Sequence, residues 1–195
     1  MNILTDNSPH YLTFQHSDFE KIVKLAASTE TNDWQRDRPF RHELLPTDLA
    51  DEILSMVPKA EELKLIKGRA SLFISQPGLY YRAHKDGMNL RFGVNYPIVI
   101  RDSGCVTRWY DDSVSEFYET DLLNGRSREL AGFNPWNHTP TGKLCMKDDA
   151  VVLFNTERYH DWTNKKSTNV RVILALRSSD PKITYEIARE ILLNE

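Results

Sequence analysis

The chain has 195 residues, which suits one domain, and at this length roughly 70% of the unfolded chain's surface is buried on folding, enough for a self-sufficient core. Hydrophobic residues at 40% and charged residues at 27% are those of a soluble globular protein, and a net charge of −3 with the signs interspersed supplies no basic field for nucleic acid. Two cysteines, Cys105 and Cys145, exclude a disulfide framework and point to a reducing cytoplasm, while residues 1–10 lack the apolar core of a signal peptide and no run approaches the ~20 apolar residues of a membrane span.

Residues 1–60 read as a helical N-terminal part. Ser17 and Glu20 have capping-box spacing, and Phe19, Ile22, Val23 and Ala26 follow at helical intervals. The polar stretch 30–43, closing on Arg38-Pro39-Phe40, reads as a loop. A second helix is expected from Thr47, with Leu49, Ile53, Leu54 and Val57 on one face.

Residues 61–178 change character. Short apolar or alternating segments recur, separated by Gln76-Pro77-Gly78, Asp102-Ser103-Gly104 and Lys147-Asp148-Asp149. Such spacing predicts a mainly β fold, a jelly roll with flanking helices. Residues 111–142 interrupt the rhythm with a long, polar, aromatic connection, and a connection of this length is expected to act as an insert or lid. A last helix is expected over 180–194, with Asp180 as its cap, Pro181 in its first turn, and Ile183, Ile187, Ile191 and Leu192 buried.

The chemistry concentrates around three residues. In His84-Lys85-Asp86 the outer two share a face of an extended segment, so one imidazole and one carboxylate can reach a single ion. His160 follows the apolar strand 150–154 and supplies a second imidazole. Two histidines and a carboxylate form the facial triad of non-haem iron oxygenases, which leaves coordination positions open. A His-x-Asp tripeptide is common by chance; order and placement give it weight. His160 lies 76 residues after His84, and Arg171 opens a further apolar strand 11 residues later. A guanidinium there suits bidentate pairing with the distal carboxylate of 2-oxoglutarate, although a charged residue at a strand start is also ordinary surface.

Over residues 72–177 the chain resembles the iron(II)/2-oxoglutarate-dependent oxygenases with a double-stranded β-helix core. Within them it is most similar to the aspartyl/asparaginyl β-hydroxylase branch. Pro77-Gly78 before His84, Asn89-x-Arg91 with Asn95-Tyr96-Pro97-Ile98, and Val152-Leu153-Phe154-Asn155 leading to His160-Asp161-Trp162-Thr163-Asn164 and Arg171 carry the likeness. It implies iron(II) on His84, Asp86 and His160, with 2-oxoglutarate and dioxygen as co-substrates. It implies hydroxylation of a C–H bond in an amino-acid or peptide side chain. The branch often places an arginine and a histidine near the cofactor where this chain has Gly93 and Asn95. Contact with the metal-proximal carboxylate is therefore left to Asn95 or Arg91. Asn155 and Asp161 are candidates to orient the imidazoles, and equally plain turn residues. Arg108, Trp109 and Tyr110 are the candidates for substrate contact, packing being the competing role. The expected substrate is a small molecule or peptide, not a nucleic acid or membrane, and the oligomeric state is open. Two other readings stand beside this one: a non-catalytic cupin-type binding module, and a metal-dependent isomerase on the same scaffold.

Overall fold

The computed structural model describes residues 1–5, 8–29, 40–86, 90–99, 105–111, 138–194, and the backbone course of 118–123 and 126–131. Thirteen strands in these residues form two antiparallel sheets. The larger contains β1 (Asn2–Thr5), β2 (Tyr11–Gln15), β3 (Phe40–Leu44), β4 (Ser71–Ser75), β6 (Phe92–Val99), β11 (Val151–Asn155) and β13 (Arg171–Arg177), in the order β1-β2-β11-β6-β13-β4-β3. The smaller contains β5 (Tyr80–Lys85), β7 (Val106–Trp109), β8 (Tyr118–Leu123), β9 (Arg126–Ala131), β10 (Gly142–Cys145) and β12 (His160–Thr163), in the order β10-β7-β12-β5-β9-β8. From β4 to β7 and again from β10 to β13 successive strands alternate between the sheets, as in a jelly roll, while β7 to β10 all lie in the smaller one. The fold is mainly β with few helices, as the segment spacing predicted.

The two faces of the large sheet meet different partners. Val172, Leu174 and Leu176 of β13 pack with Leu72, Ile74, Val94, Tyr96, Val151 and Leu153 against α1 (Phe19–Ala27), α2 (Thr47–Met56) and α3 (Tyr185–Leu193). Ile173, Val152 and Phe154 point the other way and meet Cys105, Trp109, Leu144 and Met146 of the small-sheet side. Both faces are covered, so the central strands are buried along nearly their whole length: all five residues of β11 and the first six of β13 are buried. Within that second interior, any polar side chain requires a partner or a ligand.

Three expectations change. The first 60 residues hold β1, β2 and β3 as well as two helices. These strands lie at the ends of the large sheet, and their sequences, such as Phe-Arg-His-Glu-Leu, carry little alternation; pairing to β11 and β4 defines them. Asp18 stands at the α1 cap without a side-chain bond, and Ser17 donates to the Asp18 carboxylate instead of closing a capping box. The last helix begins at Tyr185, where Thr184 accepts from the Ile187 amide, while Asp180 accepts from Lys182 in the preceding turn. The later start rotates the buried stripe to Tyr185, Ala188 and Leu192 and leaves Ile187 42% exposed.

The insert 111–142 contains the β8–β9 hairpin, and β9 pairs with the His84 strand through His84↔Leu130 and Lys85↔Glu129. Residues 112–117, 124–125 and 132–137 of the expected lid lie outside the described residues. Among the described residues no helix is long and apolar enough to cross a membrane.

Candidate metal centre

His84 and His160 are direct cross-strand partners on β5 and β12. Alternation alone would not align the next pair, because Trp162 faces Tyr81, three residues from His84 on one strand and two from His160 on the other. A bulge at Arg82-Ala83 absorbs the extra residue. It keeps Tyr81, Trp162, His84 and His160 on one face, with Tyr81 stacked on Trp162 at 5.3 Å and the two imidazole centroids 4.4 Å apart.

Asp86 follows the end of β5. One ligand atom from each of His84, Asp86 and His160 lies within 4.8 Å of the others. Each imidazole is held the same way: Nδ1 donates to the carbonyl two residues earlier, Arg82 at 2.8 Å for His84 and Arg158 at 2.9 Å for His160. A carbonyl only accepts, so Nδ1 carries the proton and Nε2 presents its lone pair. The backbone, and not Asn155 or Asp161, orients the rings. Burial pushes the His160 imidazole down to about 3, and the neighbouring His84 adds to that despite Asp86, so the ring is neutral and ready to ligate. Burial by itself would raise the Asp86 carboxyl, but its neighbours His84 and the Arg177 guanidinium hold it well below the usual carboxylate range.

Arg171 starts β13 on the same interior. Its guanidinium is buried, and among the described residues its one recorded contact is the Trp162 ring, 5.0 Å from the centroid. Among the described residues no carboxylate pairs with it. Burial draws its pKa down to about 10, with Cys105 acting the other way. Directly across the strand pair lies Ser75, fully buried with an unpartnered hydroxyl. A buried cation and a buried hydroxyl side by side, both without acceptors, fit an anionic ligand.

The remaining expected residues lie elsewhere in the architecture. Asn95 is buried on β6 and accepts from Arg177 at 3.3 Å. Arg91 precedes β6 and pairs with Glu157 at 2.5 Å, and Glu157 also accepts from the first amide of α3, so Arg91 braces that helix and does not turn to the metal. Trp109 is fully buried, donates to the Asn155 carbonyl and stacks on His10 and Tyr11; its substrate role gives way to core packing. Arg108 and Tyr110 are also committed. Asp161, fully buried, accepts from Arg108 at 2.9 and 2.6 Å, from Tyr110 at 2.8 Å and from Tyr80 at 3.3 Å, clasping β5, β7 and β12 together. Asn155 is a turn residue, accepting from the Glu157 amide and donating to the Pro9 carbonyl.

One residue of the site was missed. Arg177, at the end of β13, lies 3.6 Å from the Asp86 carboxylate. The signal was available: counting by twos from Arg171 along an extended strand reaches Arg177.

No family model matches the sequence, and no curated protein matches it. The likeness to known proteins is structural. HygX from Streptomyces hygroscopicus, solved with nickel and 2-oxoglutarate, superposes with a TM-score of 0.55 at 11% identity, over 90% of this chain and 85% of that one. The epimerase SnoN, solved with Fe3+, alpha-ketoglutarate and nogalamycin RO, gives 0.55 at 10% identity over 87% and 79%. EvdO2 from Micromonospora carbonacea var. aurantiaca, solved with 2-oxoglutarate, gives 0.54 at 12% over 87% and 86%. The chain thus shares the jelly-roll fold of 2-oxoglutarate-dependent enzymes, and at these identities the likeness is one of fold.

Proposed function

We propose that this protein is an iron(II)- and 2-oxoglutarate-dependent oxygenase that hydroxylates a C–H bond in a small molecule, an amino acid or a peptide. The observation that carries the reading is the pairing of two features on one interior face: three ligand atoms within 4.8 Å, and a buried arginine with no carboxylate partner among the described residues. His84, Asp86 and His160 would hold the metal by two Nε2 atoms and one carboxylate oxygen, a donor set suited to iron(II). Iron(II) with 2-oxoglutarate and dioxygen supplies the oxidising chemistry, converting the C–H bond to C–OH and the oxo acid to succinate and carbon dioxide. The chain's own part is binding and exclusion of water. Arg171 and Ser75 would take the distal carboxylate, Trp162 and Tyr81 wall the space between that anchor and His84, and the inter-sheet core keeps the site dry.

The resemblance to the aspartyl/asparaginyl β-hydroxylase branch favours a side-chain substrate. The likeness to SnoN favours a second reading, epimerisation by the same cofactors. Two cysteines that form no disulfide suit a reducing cytoplasm. Anaerobic titration with iron(II) and 2-oxoglutarate tests the core of the proposal: a visible charge-transfer band that requires both additions is expected, and its absence with saturating iron and oxo acid rejects it. Product analysis against candidate substrates then separates an added oxygen from an inverted centre.

A further inference from the structure

We propose that Arg177 is a positioning residue for the metal carboxylate, and that Gly93 is the space it requires; the proposal rests on the reading of His84, Asp86 and His160 as metal ligands.

Asp86 stands just beyond β5, so strand pairing does not fix it, and its amide reaches the Thr156 carbonyl at 3.3 Å. Its two carboxylate oxygens are divided between two neighbours. Oδ1 lies 3.5 Å from His84 Nε2, on the ligand side. Oδ2 lies 3.6 Å from Arg177 Nη2, an ion pair at longer than hydrogen-bond distance. Arg177 is fixed from its other side, where Nη1 donates to Asn95 Oδ1 at 3.3 Å. A carboxylate drawn by one oxygen toward a buried guanidinium offers the other to the metal. It cannot turn to chelate through both, so the remaining coordination positions stay open.

The guanidinium reaches this place over a glycine. Arg177 and Gly93 are cross-strand partners on β13 and β6. A Cβ added at Gly93 would lie 1.2 Å from Arg177 Nη1 and 2.4 Å from Cζ, inside the guanidinium. Any side chain at 93 therefore evicts Arg177 from Asp86 while leaving it in the chain. Asn95, one pleat along, supplies the acceptor that holds the displaced weight of the arm, and so explains a buried amide that touches no metal ligand directly.

The test uses Co(II), whose visible bands report coordination. Co(II) is titrated into the metal-free wild type, Arg177→Gln, Gly93→Ala and the double variant, with thermal unfolding of each metal-free form as the check that it folds; 2-oxoglutarate is then titrated into the Co(II)-loaded proteins. Each single variant is expected to weaken Co(II) binding on the order of 10–100-fold, as loss of a group that orients a ligand does. The double variant is expected to be no weaker than the worse single one, because both changes remove the same contact. A folded Arg177→Gln with wild-type Co(II) affinity overturns the proposal, and so does a loss confined to 2-oxoglutarate affinity, which would make Arg177 a co-substrate contact. Additive losses overturn the role of Gly93. Should Arg177→Gln fail to fold, Gly93→Ala decides by the same criterion. Wild-type protein that takes up no Co(II) rejects the metal site itself, an outcome distinct from all of these.

Discussion

Replacing Arg171 by methionine should stabilise the protein while removing most of its response to 2-oxoglutarate. The side chain is 6% exposed and, among the described residues, lies over the Trp162 ring with no carboxylate partner. Burial lowers its pKa to about 10, a cost to the folded state of about 3 kcal/mol. The sign follows from linkage. With the folded pKa below the unfolded one, the whole cost is present at neutral pH, and stability rises as pH climbs through 10 toward the unfolded value. Methionine removes the charge and nearly fills its volume. Loss of the Trp162 contact takes back about 1 to 2 kcal/mol. The metal-free variant should thus gain about 1 to 2 kcal/mol, or about 2–8 °C in Tm for a chain of this size. The ligand response runs the other way. Wild-type protein with a bound divalent ion and 2-oxoglutarate at a hundred times its Kd gains about 2.7 kcal/mol. Losing a buried bidentate contact costs roughly 2–5 kcal/mol of binding, so at the same concentration the variant should gain less than about 1 kcal/mol. Differential scanning fluorimetry with and without the oxo acid measures both halves. A variant that melts below wild type and still rises in Tm with 2-oxoglutarate would refute the assignment of Arg171 as an anchor held in reserve for an anion.

Other outcomes follow from the same contacts. His84→Ala or His160→Ala leaves two protein ligands, and stoichiometric iron(II) binding should be lost; retention of one iron per chain by equilibrium dialysis would dismiss the triad. Metal-free protein should lose stability as pH falls from about 6.5 toward 3, because the unfolded chain binds the proton that buried His160 refuses, and bound metal should protect against this loss; urea unfolding across that range reads the slope. Asp161→Ala removes the acceptor shared by the Arg108 guanidinium and two tyrosine hydroxyls, costing about 3–5 kcal/mol, whereas a substrate role for Arg108 would have left stability near wild type. Trp109→Ala should cost about 3–5 kcal/mol by opening the inter-sheet core, measured as a fall in the urea midpoint.

The order along the chain of the clustered His84, Asp86 and His160 was legible without coordinates. A His-x-Asp at the end of one strand, a histidine after another and an arginine opening a third are local patterns, each tied to strand periodicity that the sequence displays. The jelly roll was legible for the same reason, since strands such as β6, β11 and β13 announce themselves by apolar runs bounded by turn residues. What the sequence hid was decided by pairing at a distance. β1, β2 and β3 take their identity from the strands they dock on. Arg108, Trp109 and Tyr110 read as a polar-aromatic cluster fit for substrate, but alternation and the cross-strand positions of Asp161 and Asn155 turn them into a clasp and a core plug. Arg91 and Arg177 show the contrast most sharply. Two arginines lie near the site in sequence terms, and only tertiary structure determines that one is drawn off by Glu157 while the other crosses Gly93 to reach Asp86. A side chain's face is a local property of the strand, but its partner depends on which strand lies opposite, and that is set by the whole fold.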